Sequence, residues 1–192
     1  MNRHLVSEVD GLEPGTALDL GCADGADAIW LAAHGWEVTA VDVAAPALDR
    51  ARDHAVRRGL ADRIRWTRCD LAADFPSGAF DLVSAQFLHS PVALPGERER
   101  ILRRSARAVA PGGHLLVVSH WRVPPWHPPM PDPGHPVNLT LQSPAENRAA
   151  LRLADGDWEV VRDALVGVYL VGPDGRRGRR EDHVLHVRRL EG

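Results

Sequence analysis

The ten residues Thr16–Gly25, T-A-L-D-L-G-C-A-D-G, constrain this chain more than any other stretch. A short apolar run of Ala17, Leu18 and Leu20 stops at Gly21, a second glycine follows at Gly25, and the helical pattern A-D-A-I-W-L-A-A-H begins at once. Strand, glycine turn and helix in that order aim free backbone N–H groups and a helix N-terminus at a ligand. Gly21 allows a sharp turn where a side chain would obstruct, and Gly25 allows the helix start to lie close to the strand. Asp19 departs from a phosphate-binding loop. A carboxylate near the end of a strand buried on both faces is costly unless something polar uses it, and a cation suits it better than a phosphate.

From this stretch onward the chain alternates. Asn2 to Gly11 reads as a short amphipathic helix with Leu5, Val6 and Val9 on one face, and Glu13-Pro14-Gly15 as the turn before the first strand. Helices are expected over 25–34, 46–58 and 94–110, and strands over 36–43, 63–69, 80–86 and 114–120. Pro111-Gly112-Gly113 reads as the turn into that last strand. Residues 121–143 form a proline-rich segment without periodicity, expected to be a surface loop or lid. Ser143-Pro144-Ala145-Glu146 has capping-box spacing with proline at the first helical position, so a helix starts there. Trp158–Val171 and His183–Arg189 read as strands joined by a hairpin connection at 172–175. The arginine run 176–180 reads as a solvated turn. The pattern predicts an α/β fold: a doubly wound, mostly parallel seven-stranded sheet with helices on both faces and a C-terminal antiparallel hairpin. At 192 residues the chain is expected to be one domain, 1–192, burying roughly 70% of its unfolded surface.

Composition excludes several classes. The formal net charge of −3 argues against a nucleic-acid partner, which calls for a clustered basic face. All 23 basic residues are arginine, since the chain contains no lysine. Cys22 and Cys69 fit no metal-ligand spacing and suggest a reducing compartment, hence a cytoplasmic protein without a membrane span.

Asp42 lies at the end of the second strand, 21 residues after Gly21, where an acidic group accepts both hydroxyls of a ribose. A strand-end turn aspartate is the plain alternative, and the spacing alone does not separate nicotinamide cofactors from other ribose-bearing ones. With Asp19-x-Gly21-x-Ala23-x-Gly25 followed by Val38–Asp42, and with R-C-D-L at 68–71, F-D-L-V-S-A-Q at 80–86 and the Pro111-Gly-Gly turn into a strand, the sequence resembles class I S-adenosylmethionine-dependent methyltransferases. Within them it looks most like small-molecule enzymes of the tellurite-resistance and thiopurine methyltransferase type. The family usually has glycine where this chain has Ala23.

The resemblance implies S-adenosyl-L-methionine as methyl donor, S-adenosyl-L-homocysteine as product and a small-molecule acceptor with an O, N or S nucleophile. It places the cofactor against Asp19, Gly21, Cys22, Ala23 and Gly25, the ribose on Asp42 beside Val43, the adenine on Asp70 and Leu71, and the methionine end on the backbone of Ala85 and Gln86. Asp70 also has a plain reading as a turn cap, and Asp81, at the strand start, is expected to be structural. Relatives usually carry a longer segment before the first strand. Here 15 residues precede it, so the pocket is expected to be open, completed by a second subunit in a homodimer, or shortened.

His89 and His120 follow two strand ends on the edge where the transferred methyl should lie, and are the candidates for a general base, with His89 nearer the methionine-facing segment. His127 and His135 lie in the proline-rich segment, and no metal site is expected. Two other classes stay open: a cofactor-binding protein without transfer activity, and a nicotinamide oxidoreductase, the latter disfavoured by Asp19 and the terminal hairpin.

Overall fold

The structure is a computed structural model that describes residues 1–88, 93–124, 141–172 and 174–192. Strands β1 (Thr16–Leu20), β2 (Glu37–Asp42), β3 (Ile64–Arg68), β4 (Phe80–Gln86), β5 (Val109–Arg122), β6 (Trp158–Val171) and β7 (Arg177–Arg189) form one sheet in the order β3-β2-β1-β4-β5-β7-β6. The first five run parallel, while β7 is antiparallel to β5 and β6 antiparallel to β7. This is the expected doubly wound sheet with its terminal hairpin. Strand order reverses between β2 and β4 on either side of β1, so the carboxyl end of β1 is a topological switch point, where such sheets bind ligands.

Both faces of the sheet are covered. Helices α1 (Arg3–Val9), α2 (Ala26–Ala33) and α3 (Ala45–Val56) pack Leu5, Val9, Ala28, Ile29, Leu31, Leu48 and Ala55 onto one face. Helices α4 (Glu97–Arg107) and α5 (Pro144–Leu151) pack Ile101, Leu102, Ala106, Ala150 and Leu151 onto the other. The central strands are therefore apolar on both sides, as a covered parallel sheet requires. In α5, Ser143 caps the Glu146 N–H while the Glu146 carboxylate accepts from the Ser143 N–H at 2.7 Å, the capping box its spacing predicts.

Four expectations need correction. Pro111-Gly112-Gly113 is not a turn ahead of β5 but an irregularity inside it: Val109 already pairs with Phe80, and the register shifts before His114 pairs with Leu82. The helix expected over 94–110 spans only Glu97–Arg107, because strand pairing claims Val109. The arginine run belongs to a strand rather than a turn, since β7 begins at Arg177 and pairs through Arg180 with Val168. In α1, His4 is buried with Leu5 and Val9, whereas Val6 is half-exposed, because β7 offers His4 a carboxylate. Of the proline-rich segment, residues 125–140 lie outside the described residues.

Candidate functional site

The glycine loop leaves β1 at Gly21, whose φ of +70° is left-handed and where a Cβ would come within 2.8 Å of the Leu88 side chain. The N–H groups of Gly21 and Cys22 both bond to the Val41 carbonyl, at 2.9 and 3.0 Å, which clamps the loop to the end of β2. Ala23 is also left-handed, at φ +47°. Gly25 caps α2 at φ +75°, and a Cβ there would strike the Trp66 ring of β3 and Ala51 of α3. Gly25 thus permits close approach of helix and sheet, as expected, and the neighbours it makes room for are Trp66 and Ala51.

Asp42 ends β2 with both carboxylate oxygens in use. Oδ2 accepts from the Ala23 N–H at 2.9 Å and Oδ1 from the Ala44 N–H at 2.8 Å. Each oxygen keeps a second lone pair, so the carboxylate is oriented between the glycine loop and α3 and can still accept hydroxyl donors. Val43 beside it is exposed. The strand-end turn reading and the ligand reading are therefore compatible at Asp42.

Asp70 follows β3, the strand paired with β2, so it lies at the same edge as Asp42. Its Oδ1 accepts from the Ala72 N–H at 3.0 Å, the turn-capping role, and the Leu71 side chain is buried behind it. Asp81 lies at the opposite end of β4, where it accepts from the Thr16 N–H and hydroxyl at 2.7 and 2.9 Å. That is structural.

Asp19 is the electrostatic anomaly. It is 2% exposed, and its Oδ2 has no hydrogen-bond partner among the described residues. Burial, reinforced by the Asp27 and Asp42 carboxylates, pushes its carboxyl up to about 8, with the Ala28 N–H offsetting part of the effect. Burial also raises Asp27, in the first turn of α2. Three carboxylates around the loop and an orphaned buried oxygen make electrostatic surroundings suited to a cation. The Cys22 thiol is buried and is pushed up by burial and then by Asp19.

At the end of β4, the Ala85 side chain is fully buried, and Gln86 is held by Asn2 Nδ2 at 2.6 Å and by Ser84 Oγ at 3.1 Å. The Asn2 N–H also donates to Asp27. The segment ahead of α1 therefore spans the α2 start and the β4 end.

Beyond Gln86, Phe87 takes a left-handed φ of +50° and stacks on His120, ring centroids 4.2 Å apart. His120 stands opposite Asp182 in the β5–β7 register, and its Nδ1 donates to Asp182 Oδ1 at 2.8 Å. The Asp182 Oδ2 accepts from His4 Nε2 at 3.0 Å and from Arg180 Nε and Nη2 at 3.1 and 2.8 Å. Burial would raise the fully enclosed Asp182 carboxyl, but the hydrogen bonds from His120, His4 and Arg180 hold it well below the usual carboxylate range. Asp182, His4 and Arg180 are residues that sequence reasoning missed. For Asp182 the only signal was a carboxylate in E-D-H-V-L-H, just ahead of the apolar pair of a strand, and His4 and Arg180 had none.

His89 lies outside the described residues. The carbonyl of Leu88 accepts from Arg98 Nε at 3.2 Å, and Arg98 also reaches Asn147 Oδ1 and Ser119 Oγ at 2.8 and 2.7 Å. Among the described residues, no group of three or more His, Cys, Asp or Glu side chains is placed to hold a metal ion, and no helix is long and apolar enough to cross a membrane.

The strand ends line up in sheet order: Asp70, Asp42, the glycine loop, Gln86 and then His120. The chain is similar to known proteins. A ribosomal RNA small subunit methyltransferase C from Alcanivorax borkumensis is 32% identical over 114 residues, 58% of this chain and 34% of that protein. A 27-O-demethylrifamycin SV methyltransferase from Amycolatopsis mediterranei is 33% identical over 56% of this chain and 39% of its own length. The chain thus spans well under half the length of these curated relatives. Among solved structures, TehB from Haemophilus influenzae superposes on all of this chain and 63% of its own with a TM-score of 0.77 at 18% identity. The N-methyltransferase NodS from Bradyrhizobium japonicum, in complex with S-adenosyl-L-homocysteine, covers 98% of this chain and 85% of its own with a TM-score of 0.69 at 20% identity. At those identities the likeness carries the fold, not the reaction. Residues 17–113, half of the chain and the part that holds the glycine loop and its acidic partners, match the methyltransferase domain family, and the chain belongs to that family.

Proposed function

We propose that this protein transfers the methyl group of S-adenosyl-L-methionine to an oxygen, nitrogen or sulfur nucleophile of a small molecule, releasing S-adenosyl-L-homocysteine. The observation that carries the reading is the buried Asp19 carboxylate with its orphaned oxygen, set under a glycine loop that Asp42 clamps. A cofactor bearing an ammonium and a sulfonium supplies the positive charge that this pocket lacks and an electrophilic methyl. Asp42 accepts the ribose hydroxyls, Asp70 with the Leu71 backbone takes the adenine, and the loop of Gly21, Cys22, Ala23 and Gly25 lies along the cofactor. The backbone of Ala85 and Gln86 meets its methionine end.

With an electrophile of that kind, the protein's own contribution is chiefly alignment in a dry pocket, plus removal of a proton where the acceptor carries one. His120 supports that second role. Asp182 accepts from Nδ1, which fixes the orientation of the ring, and the Phe87 ring fixes the plane of the imidazole. His89, three residues after Gln86 in the chain, is the second candidate base.

A small-molecule acceptor is favoured over nucleic acid by the net charge of −3 and by the rifamycin-type relative, against the ribosomal RNA relative. A cytoplasmic location is supported by the two free, buried cysteines. A homodimer is supported by β6, an edge strand of the sheet with Leu165, Tyr169 and Val171 exposed, and light scattering that reads a monomer rejects it.

Titration calorimetry with S-adenosyl-L-homocysteine tests the cofactor. Asp42→Ala is expected to weaken binding by about 1.5–3 kcal/mol, because a charge-assisted acceptor is lost. Asp70→Asn is expected to cost less than Asp70→Ala, since it keeps one carbonyl acceptor. Binding of NADH without S-adenosyl-L-homocysteine overturns the assignment. Methyl transfer to a panel of thiols, phenols and amines then separates an enzyme from a cofactor-binding protein.

A further inference from the structure

The parallel strands have a second edge, and it holds a cleft. Around the C-terminal halves of α4 and α5, the start of β6 and the end of β7 lies a cavity of about 500 Å³. Because β7 runs antiparallel to β5 and β6 runs antiparallel to β7, the end of β7 at Arg189 and the start of β6 at Trp158 both fall at the amino-terminal edge of β1–β5, across the sheet from Asp42 and Gly21. Six arginines line it: Arg100, Arg103, Arg104 and Arg107 from α4, Arg152 from the end of α5, and Arg189 from β7. Asp157 is the one carboxylate in the lining. These residues carry a formal +5 in a chain whose total is −3, so the rest of the chain carries −8.

Eight of the 17 arginines outside the cleft are paired with carboxylates. Arg50, Arg52, Arg122, Arg148, Arg162, Arg176, Arg179 and Arg180 each lie within ion-pair distance of a carboxylate. None of the six in the cleft does so among the described residues. Three of the six are anchored through neutral groups, Arg100 by donating from Nη1 to the Pro95 carbonyl at 3.5 Å. Arg189 Nη1 donates to the Val109 carbonyl at 2.8 Å, and Arg104 lies 5.0 Å over the Phe75 ring and 3.4 Å from the Leu71 carbonyl. Arg152 sits at the helix end in a left-handed conformation, φ +49° and ψ +49°, where glycine or asparagine is the usual residue. A large cation stands there at the expense of local backbone comfort.

We propose that this cleft binds a small oligophosphate, either free or as the phosphate tail of a nucleotide. Planar guanidinium forks match phosphate oxygens two at a time, and several of them converge here without internal counter-charge. A concave volume of this size suits a small molecule rather than a flat macromolecular surface. Half-buried Trp158 in the wall offers a ring face for a base. The cleft opens at the other edge of the sheet and meets the proposed adenine-binding segment only where Arg104 reaches the Leu71 carbonyl, so it does not depend on the function proposed above.

Calorimetry on the whole chain, with S-adenosyl-L-homocysteine present in excess, tests it using inorganic triphosphate and ATP. Both are expected to bind one per chain, more weakly as sodium chloride is raised. Arg103→Ala, Arg107→Ala and Arg152→Gly are each expected to weaken binding on the order of tenfold. Arg152→Gly also relieves the backbone, so loss of binding there cannot come from unfolding. Arg50→Ala, outside the cleft, is expected to change nothing. ATP binding more tightly than triphosphate assigns Trp158 to the base, and equal binding assigns the site to the phosphates alone. Three results overturn the proposal. They are no binding of either probe, binding indifferent to the three cleft variants or displaced by S-adenosyl-L-homocysteine, and arginine-dependent binding of a short single-stranded RNA where triphosphate does not bind.

Discussion

Asp19 and Ala23 are two residues that carry a local cost in the fold. The Asp19 carboxyl is pushed from 3.8 to about 8 by burial and by its acidic neighbours, so the folded chain holds a proton there that the unfolded chain releases near pH 4. Its contribution to stability therefore declines as pH rises from the ordinary carboxylate range through about 8. Asp19→Asn is expected to raise the denaturant midpoint of the ligand-free protein, most above pH 8 and little in acid, while weakening S-adenosyl-L-homocysteine binding. A gain of equal size at every pH shows that ionisation is not the cause. Ala23 holds a left-handed φ with a Cβ present. Such a residue costs about 1–2 kcal/mol, part of which glycine returns as unfolded-state entropy. Ala23→Gly is expected to stabilise the chain by about 0.5–1 kcal/mol, read as a rise of the thermal midpoint. A fall shows that the loop is not strained there.

At the scale of elements, Asp182 joins three of them: α1 through His4, β5 through His120 and its own strand β7 through Arg180. Four residues further along β7, His186 accepts or donates within a second set, with Glu8 of α1 at 3.2 Å and His114 of β5 at 2.9 Å, and Arg162 of β6 closes on Glu8. α1 is thus held to the sheet by His4 and Glu8, one turn apart, as well as by Leu5 and Val9. If Asp182 orients a base, Asp182→Asn is expected to lower kcat by at least tenfold with KM for the cofactor nearly unchanged, since the amide no longer sets the His120 tautomer. The rate rise with pH through the histidine range should then shift or flatten, and His120→Ala should remove it. An Asp182→Asn variant that loses stability but keeps the parent pH profile restricts Asp182 to anchoring α1. If His120→Ala keeps the profile and His89→Ala loses it, His89 is the base.

For the whole molecule, the buried imidazoles decide the response to acid. Burial, then His186 and Arg188, lowers His114 to about 4, and burial also lowers His186 against the opposing effect of Glu8. A histidine depressed in the fold binds its proton more readily when unfolded. The imidazole contribution is therefore complete above pH 6.5 and is lost as pH falls toward 4, a window in which protonation of Asp19 acts in the opposite sense. Asp182, held low by its hydrogen bonds, keeps its contribution until pH falls below the ordinary carboxylate range. In an Asp19→Asn background, thermal midpoints followed with pH are expected to fall in two stages, the first through pH 6.5 to 4 and the second below it. His114→Gln in that background should remove part of the first stage only, and a single transition below pH 4 rules out the imidazole contribution.

The sequence by itself determined the order of strands and helices, the glycine loop, the strand ends of Asp42 and Asp70, and the capping box at Ser143. Each of these is a local signal of periodicity, of a residue that tolerates a special backbone, or of a side chain within three residues of the group it caps. Tertiary structure decided what local signals do not carry. The arginine run entered a strand because β6 offered it a ladder, and Pro111-Gly112-Gly113 became a shift within β5 because Val109 already paired with Phe80. The partner of His120 lies 62 residues away, and the six cleft arginines come from three elements that meet only when β6 and β7 turn back against the sheet. Such pairings depend on which side chains share a face across strands. Sequence order encodes that only through the register the folded sheet selects.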